Sequence, residues 1–400
     1  MNEERPDLAE TQLPPHCEPR HADGGPAKHE LELRNFVALT RDLGEQRLVF
    51  ESRPYYLEYS TNSACNLRCI MCSQVENPPV VSTPLPAQEP LLEELFRYAT
   101  LWTPSATSEP LLNNFSRLWP LIEKYRIQLD IITNAMLLDE EILEKMLPQL
   151  HRLTLSIDSH EKAVFEKLRA PAVFETVVEN SRRAIVRCRE VGIPVVFHMV
   201  LAIDGLESLE EYVDFVAELG GTHITVLELL ENSHEFAELD PFSKVGEAHV
   251  AARLDAMRER ARQRGVSLVY EVHAPLGGQW NHGSSDVRVS SGGVMELMHS
   301  ELAVQNAGFC PMVGNYLKVE PDGRTYPCCR APQELELGNV LEAGVEAVWN
   351  GKPMQELRRR MYAKDYPEPC QGCVVLEAPK WTDRDRRATP ESRGPRDGNA

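Results

Sequence analysis

The stretch STNSACNLRCIMCSQ, residues 60–74, sets three cysteines at positions 65, 69 and 72 of a chain that holds only ten in 400 residues. Cysteines at i, i+4 and i+7 share one face of a helix, so buried helical packing is the first reading. Two features speak for a loop instead. The stretch directly follows the strand-like YYLEYS, and it opens with Thr61, Asn62 and Ser63 and carries Asn66 and Arg68, the composition of a polar loop at the C-terminal end of a strand. Zinc is a second reading, although a structural zinc site closes with a fourth Cys or His and none lies nearby in sequence. The third reading is a cubane iron–sulfur cluster: three soft thiolates in one tight loop leave its fourth iron without a protein ligand.

Composition narrows the context. With 42% hydrophobic and 26% charged residues the chain is of ordinary globular make-up and long enough for two or three domains. No apolar run reaches the ~18 residues of a membrane span, and MNEERPDLAE lacks the basic-then-apolar pattern of a secretory signal, so the expected location is a reducing cytoplasm, away from membranes. In that setting the cysteines are expected to serve metal or catalytic chemistry rather than a disulfide framework. A net charge of -19 opposes non-specific nucleic-acid binding and points to a small molecule or a peptide.

Along the chain, residues 1–30 are rich in Pro, Glu and His and read as a disordered tail, with Cys17 an ordinary thiol; residues 377–400 read the same way. Residues 54–232 alternate short apolar runs such as QLDIITN, RLTLSID and PVVFHMVLA with amphipathic stretches such as DEEILEKMLPQL and FETVVENSRRAIVRCREVG. Buried parallel strands alternating with covering helices give an α/β fold of six βα units, a partial (β/α)6 TIM-like barrel with its chemistry at the C-terminal ends of the strands. Cys188 falls within one of the helices and is assigned to packing. Residues 233–305 hold a helix, the strand VSLVYEVHA and a Gly/Ser-rich loop at 277–293, either a cover over the site or a linker. Residues 306–376 form a small cysteine-rich unit, with the hairpin YLKVEPDGRTYPCC turning at Asp322 and Gly323.

Taken together, the Cys65, Cys69 and Cys72 spacing and the βα units resemble the radical S-adenosylmethionine (SAM) superfamily over roughly residues 54–376. The resemblance implies a [4Fe-4S] cluster on these three cysteines. Its open iron chelates SAM, and an electron from a carrier such as flavodoxin or ferredoxin releases a 5′-deoxyadenosyl radical that abstracts hydrogen from substrate. Carried over by position, Met71 packs on the adenine, or else on the core. The family's Gly-Gly-Glu-Pro is Thr107-Ser108-Glu109-Pro110 here, so Glu109 is assigned to the SAM ammonium without the flanking glycines, a helix N-cap being the competing reading. Ser156 and Asp158 in LSIDS match polar SAM contacts, with helix capping the alternative for Asp158. Asn134 stands where the family often carries Thr-Asn-Gly, Ala135 replacing the glycine, and serves as ligand or turn residue. His198 and Glu228 lie in the fifth and sixth strands, structural rather than catalytic by preference.

Cys310, Cys328, Cys370 and Cys373 supply four further thiolates, which suit zinc on chemistry alone. Their context, PDGRTYPCCR, LGNV, AVWNG and ELRRRM ahead of CQGC, resembles the SPASM/twitch extension of radical SAM enzymes, which implies one auxiliary [4Fe-4S] cluster ligated by protein on all four irons. Cys329 is surplus: a packing thiol, a substitute ligand, or a hydrogen-atom donor. The expected activity is dehydrogenation or epimerisation of a small molecule or peptide, with peptide crosslinking as the alternative. A non-catalytic metal-binding protein is the reading from another class.

Overall fold

In a computed structural model the chain is described at residues 26–104, 108–112, 115–229, 235–271, 308–329, 331–371 and 373. The loop at 277–293, Cys17 and the C-terminal tail lie outside the described residues.

Helix α1 (Pro26–Gly44) comes first. Its first turn falls inside the stretch read as a tail. Order there comes from burial that composition does not report: Asn35, Leu39, Asp42 and Leu43 are buried, and Lys28 Nζ donates to the carbonyls of Phe96 and Ala99, each at 2.6 Å.

Strand β1 (Tyr56–Tyr59) begins the alternation. It continues through α2 (Leu85–Phe96), β2 (Leu101–Thr103), α3 (Phe115–Tyr125), β3 (Gln128–Thr133), α4 (Glu140–Met146) and β4 (Leu150–Ser156). Then come α5 (Lys162–Leu168), α6 (Phe174–Glu190), β5 (Val195–Val200), α7 (Leu209–Leu219) and β6 (His223–Leu227). Short helices α8 (Phe236–Leu239) and α9 (Pro241–Val245) lead into α10 (Glu247–Arg264) and β7 (Ser267–Glu271). Each strand from β1 to β7 pairs in parallel with the next, giving the expected α/β partial barrel. Strand β7, which the sequence placed in a connecting region, extends it by pairing with β6.

The hairpin of β8 (Tyr316–Val319) and β9 (Arg324–Tyr326) turns through Glu320–Gly323, where the Gly323 amide donates to the Glu320 carbonyl at 2.8 Å and Gly323 has φ +87°. A Cβ at Gly323 would collide with Asn339 Oδ1 and the Leu341 side chain, so glycine is required both for the left-handed backbone and for the space. Strand β8 pairs in parallel with β1, and β10 (Gly338–Asn339) closes against β9. One ten-stranded sheet therefore carries both cysteine-bearing units, in the order β10-β9-β8-β1 through β7.

Strand alternation divides the sheet's faces. Leu57, Tyr59, Trp102, Leu129, Ile131, Leu153, Leu155 and Phe197 are fully buried in the apolar core. The opposite side chains, Tyr56 and Glu58 of β1, Thr103, Asp130, Arg152, His198, and Tyr316 and Lys318 of β8, give the other face a polar character.

Candidate functional site

The first three cysteines follow β1 in a loop without α-helical structure, which removes the helical-packing reading. Backbone bonds tie that loop to the end of α5: the Arg68 amide donates to the Ala170 carbonyl at 2.6 Å and the Ile70 amide to the Leu168 carbonyl at 2.9 Å. Arg68 Nη1 donates to the Cys65 carbonyl at 2.8 Å, and the Cys72 amide to that of Cys69 at 3.0 Å. All three thiols are partly buried, and they interact electrostatically with one another. Burial raises Cys65 and pushes Cys69 up to about 11, the positive Arg169 acting against it. Burial therefore favours the neutral form of Cys65 and Cys69.

Glu109 sits beside this loop and is buried. Its Oε1 accepts from the Thr133 hydroxyl at 2.7 Å and the Leu111 amide at 3.2 Å, and its Oε2 from the Asn134 amide at 3.0 Å. Burial raises its pKa, and those hydrogen bonds oppose the rise. The Ser108 hydroxyl donates to the Asn62 carbonyl at 3.2 Å. Asn134 holds a turn and contacts the cysteine loop. Its Oδ1 accepts from the Met136 amide at 3.0 Å in a turn, while its Nδ2 donates to Asn66 Oδ1 at 2.8 Å, reaching into the cysteine loop. Ala135, at the glycine position of the resembled pattern, adopts φ +61°.

Asp158 is not a helix cap. Its carboxylate is held by Arg169 and by the Val200 amide at 3.0 Å, whereas the Glu161 amide near the start of α5 donates to Ser159 Oγ at 3.0 Å. Arg169, which sequence reasoning missed, faces Asp158, Cys69 and Cys72; burial opposes its charge, the Asp158 carboxylate outweighs that cost, and its pKa is raised. No local signal marked it, because it reaches the site only when α5 folds back onto the cysteine loop. Met71 packs with Leu168, Ala202 and Leu229 beside Cys69, an apolar wall at the strand ends. Ser156 lies opposite His198 in the β4/β5 register, and Glu228 follows β6, partly buried. His198 is depressed to about 4, first by burial and then by Arg152.

The second set gathers around the hairpin. Cys310 heads a short helix, Pro311–Asn315, that runs into β8; Cys328 follows β9; Cys370 ends the 3-10 turn Glu368–Cys370, and the Cys373 amide donates to the Cys370 carbonyl at 3.4 Å. Cys310 interacts with Cys328 and Cys373, and burial pushes it up to about 12; Cys370 interacts with Cys373. Cys329 is exposed and interacts instead with Lys318 and Tyr316.

Among the described residues, no three His, Cys, Asp or Glu side chains stand close enough to share a single metal ion. Each set nevertheless brings its thiols within electrostatic reach, and a cubane asks each thiolate to bind a different iron. Both donor sets therefore fit iron–sulfur clusters.

Comparison with known proteins agrees. Residues 59–216 match the family described as the Radical SAM superfamily, and residues 310–374 match SPASM, an iron-sulfur cluster-binding domain. The chain is 24% identical over 232 residues to GTP 3′,8-cyclase of Campylobacter lari, covering 54% of this chain and 69% of that protein. Against GTP 3′,8-cyclase of Campylobacter jejuni subsp. doylei it is 27% identical over 202 residues, 48% and 60% of the two lengths. Its fold is similar to that of Streptococcus suis SuiB bound to S-adenosylmethionine, with TM-score 0.58 at 16% identity over 87% of this chain and 76% of that one. It is also similar to anSMEcpe with bound AdoMet, with TM-score 0.52 at 16% identity over 80% and 82%. No described helix is long and apolar enough to cross a membrane.

Proposed function

Because the chain belongs to the radical SAM superfamily and carries a C-terminal SPASM iron–sulfur domain, we propose that it dehydrogenates or epimerises an unactivated C–H centre of a peptide or polar small molecule. The observation that carries this reading is the placement of two separate thiol sets on one continuous sheet. Bound to the first three cysteines, a cluster with SAM would supply the radical that abstracts hydrogen; a cluster on the second set would accept the substrate radical's electron in dehydrogenation, whereas epimerisation would need a hydrogen-atom donor, for which Cys329 is the candidate. Four cysteines at the second set fill every iron, which favours electron transfer there over substrate ligation.

In this reading Cys65, Cys69 and Cys72 hold the first cluster. Glu109, fixed by Thr133 and Asn134, presents a carboxylate to the SAM ammonium, and Arg169, anchored by Asp158, presents a guanidinium to its carboxylate. Met71 excludes water beside the adenine, and Ser156 and Asn134 supply polar contacts. Cys310, Cys328, Cys370 and Cys373 hold a single auxiliary cluster, and a protein such as flavodoxin or ferredoxin delivers the electron. Two similar structures were solved with peptides, SuiB with precursor peptide SuiA and anSMEcpe with a Cp18Cys peptide, which supports a peptide substrate and keeps peptide crosslinking as the second reading. Among the described residues of the polar face, Arg152 and Lys318 face the carboxylates of Asp130 and Glu320, which supports a substrate other than a nucleoside triphosphate.

The test is anaerobic incubation with SAM and dithionite. We expect 5′-deoxyadenosine, lost in Cys69→Ala. With substrate in D₂O, a dehydrogenase gives a product lighter by two hydrogens and an epimerase one carrying solvent deuterium. SAM cleavage with neither product sinks both outcomes.

A further inference from the structure

Strands β1 and β8 meet side by side although Glu58 and Tyr316 are 258 residues apart. Glu58 and Lys318 are register partners on the polar face, as are Tyr56 and Tyr316, whose rings contact edge to face at 5.0 Å. The Tyr316 hydroxyl donates to Glu58 Oε2. Lys318 Nζ lies 2.9 Å from Glu320 Oε1 and 4.0 Å from Glu58 Oε1, with the Tyr326 ring centroid at 5.8 Å. Glu58 is 5% exposed, and the Lys318 side chain 12%. Both are therefore poorly screened by water, and their charges act over a longer range than those of a surface pair.

The same elements carry cluster ligands. Lys318 is opposite Tyr326 in the hairpin, and Cys328 lies just beyond it; on the other side Glu58 precedes the loop of Cys65. The charged pair thus stands at the seam between the two thiol sets. Lys318 and Tyr316 also interact electrostatically with Cys329, the neighbour of Cys328.

We propose that Glu58 and Lys318, paired across the β1/β8 seam, set the reduction potential of the C-terminal cluster with opposite signs. This rests on the electron-accepting role proposed above. Reduction would add one electron and make the cluster one unit more negative; in turnover that electron would come from the substrate radical, which is oxidised to product as it releases a proton to solvent. A nearby ammonium favours the reduced form and raises the potential, and a nearby carboxylate lowers it.

The experiment is an anaerobic redox titration with dithionite, followed by electron paramagnetic resonance, on full-length protein with Cys65, Cys69 and Cys72 changed to Ala, so that only the second cluster is read. Lys318→Met shifts the midpoint to a more negative potential, Glu58→Gln shifts it to a more positive one, and Lys318→Arg stays near the parent. A pair that only held the hairpin in place would not separate the two variants in sign. Midpoints that stay together or move the same way overturn the proposal alone. A parent that binds zinc and no iron overturns the electron-accepting role, and the proposal with it.

Discussion

Asp158 and Arg169 form a two-pronged ion pair at the cysteine loop: Arg169 Nε lies 2.5 Å from Asp158 Oδ2, and Nη2 lies 2.9 Å from Oδ1. The Asp158 side chain is fully buried and that of Arg169 is 12% exposed. Removing one partner of such a pair strands the other charge away from water, which costs about 3–5 kcal/mol. Asp158→Ala is therefore expected to lower the unfolding free energy from urea denaturation by that order and to weaken SAM binding, because the guanidinium loses its anchor. A variant with the parent's stability and SAM affinity would show that Arg169 holds its place without Asp158.

Glu109 accepts three hydrogen bonds, and only a carboxylate both accepts them and offers a charge to an ammonium. Glu109→Gln removes the charge and turns an NH₂ toward a donor. Losing about 1.4 kcal/mol corresponds to tenfold in affinity. Calorimetry of SAM binding to cluster-loaded protein is expected to show at least that loss; an unchanged affinity takes Glu109 out of the site.

Ala135 has φ +61°, a conformation that a Cβ disfavours and glycine accepts freely. Relief of that strain outweighs the entropy glycine loses on folding, so Ala135→Gly is expected to stabilise the protein by about 0.5–1 kcal/mol. Chemical denaturation reads this directly. A destabilised variant would mean that the Ala135 methyl, fully buried in the core, contributes more by packing than its backbone costs.

The depressed pKa of His198, about 4 against an ordinary value near 6.5, couples stability to pH. Below about 6.5 the unfolded chain binds a proton that the folded protein does not, so this contribution is complete at neutral pH and declines as pH falls toward 4. By pH 5.5 the loss is about 1.4 kcal/mol. Comparing denaturation at pH 7.5 and 5.5, His198→Gln should lose less stability than the parent by that amount. Equal losses would show that His198 gains its proton in the folded protein as easily as in the unfolded chain.

The two cysteine sets were legible because thiolate chemistry is written in spacing: Cys65, Cys69 and Cys72 in one polar loop, then CQGC at the end of the second unit. That Glu109 and Asn134 lie beside the cysteine loop was legible from their positions after strands. Arg169 was not, since a lone arginine in EKLRAP carries no local signal and comes beside Cys69 and Cys72 only when α5 docks on the cysteine loop. Helix α1 was missed for a related reason. Its register of buried residues makes sense only against the barrel surface it covers.

By itself, then, the sequence determined the alternating α/β elements, the hairpin turn at Asp322 and Gly323 and which thiols are candidates for metal binding. Local periodicity, backbone conformational preference and ligand chemistry act over a few residues and leave their mark there. Only the tertiary structure decided that β8 lies beside β1, that β7 extends the barrel, and that Glu58 meets Lys318 and Tyr316 at the seam. An apolar strand can pair with many others, and its partner is chosen by the packing of the whole sheet, to which distant residues contribute together.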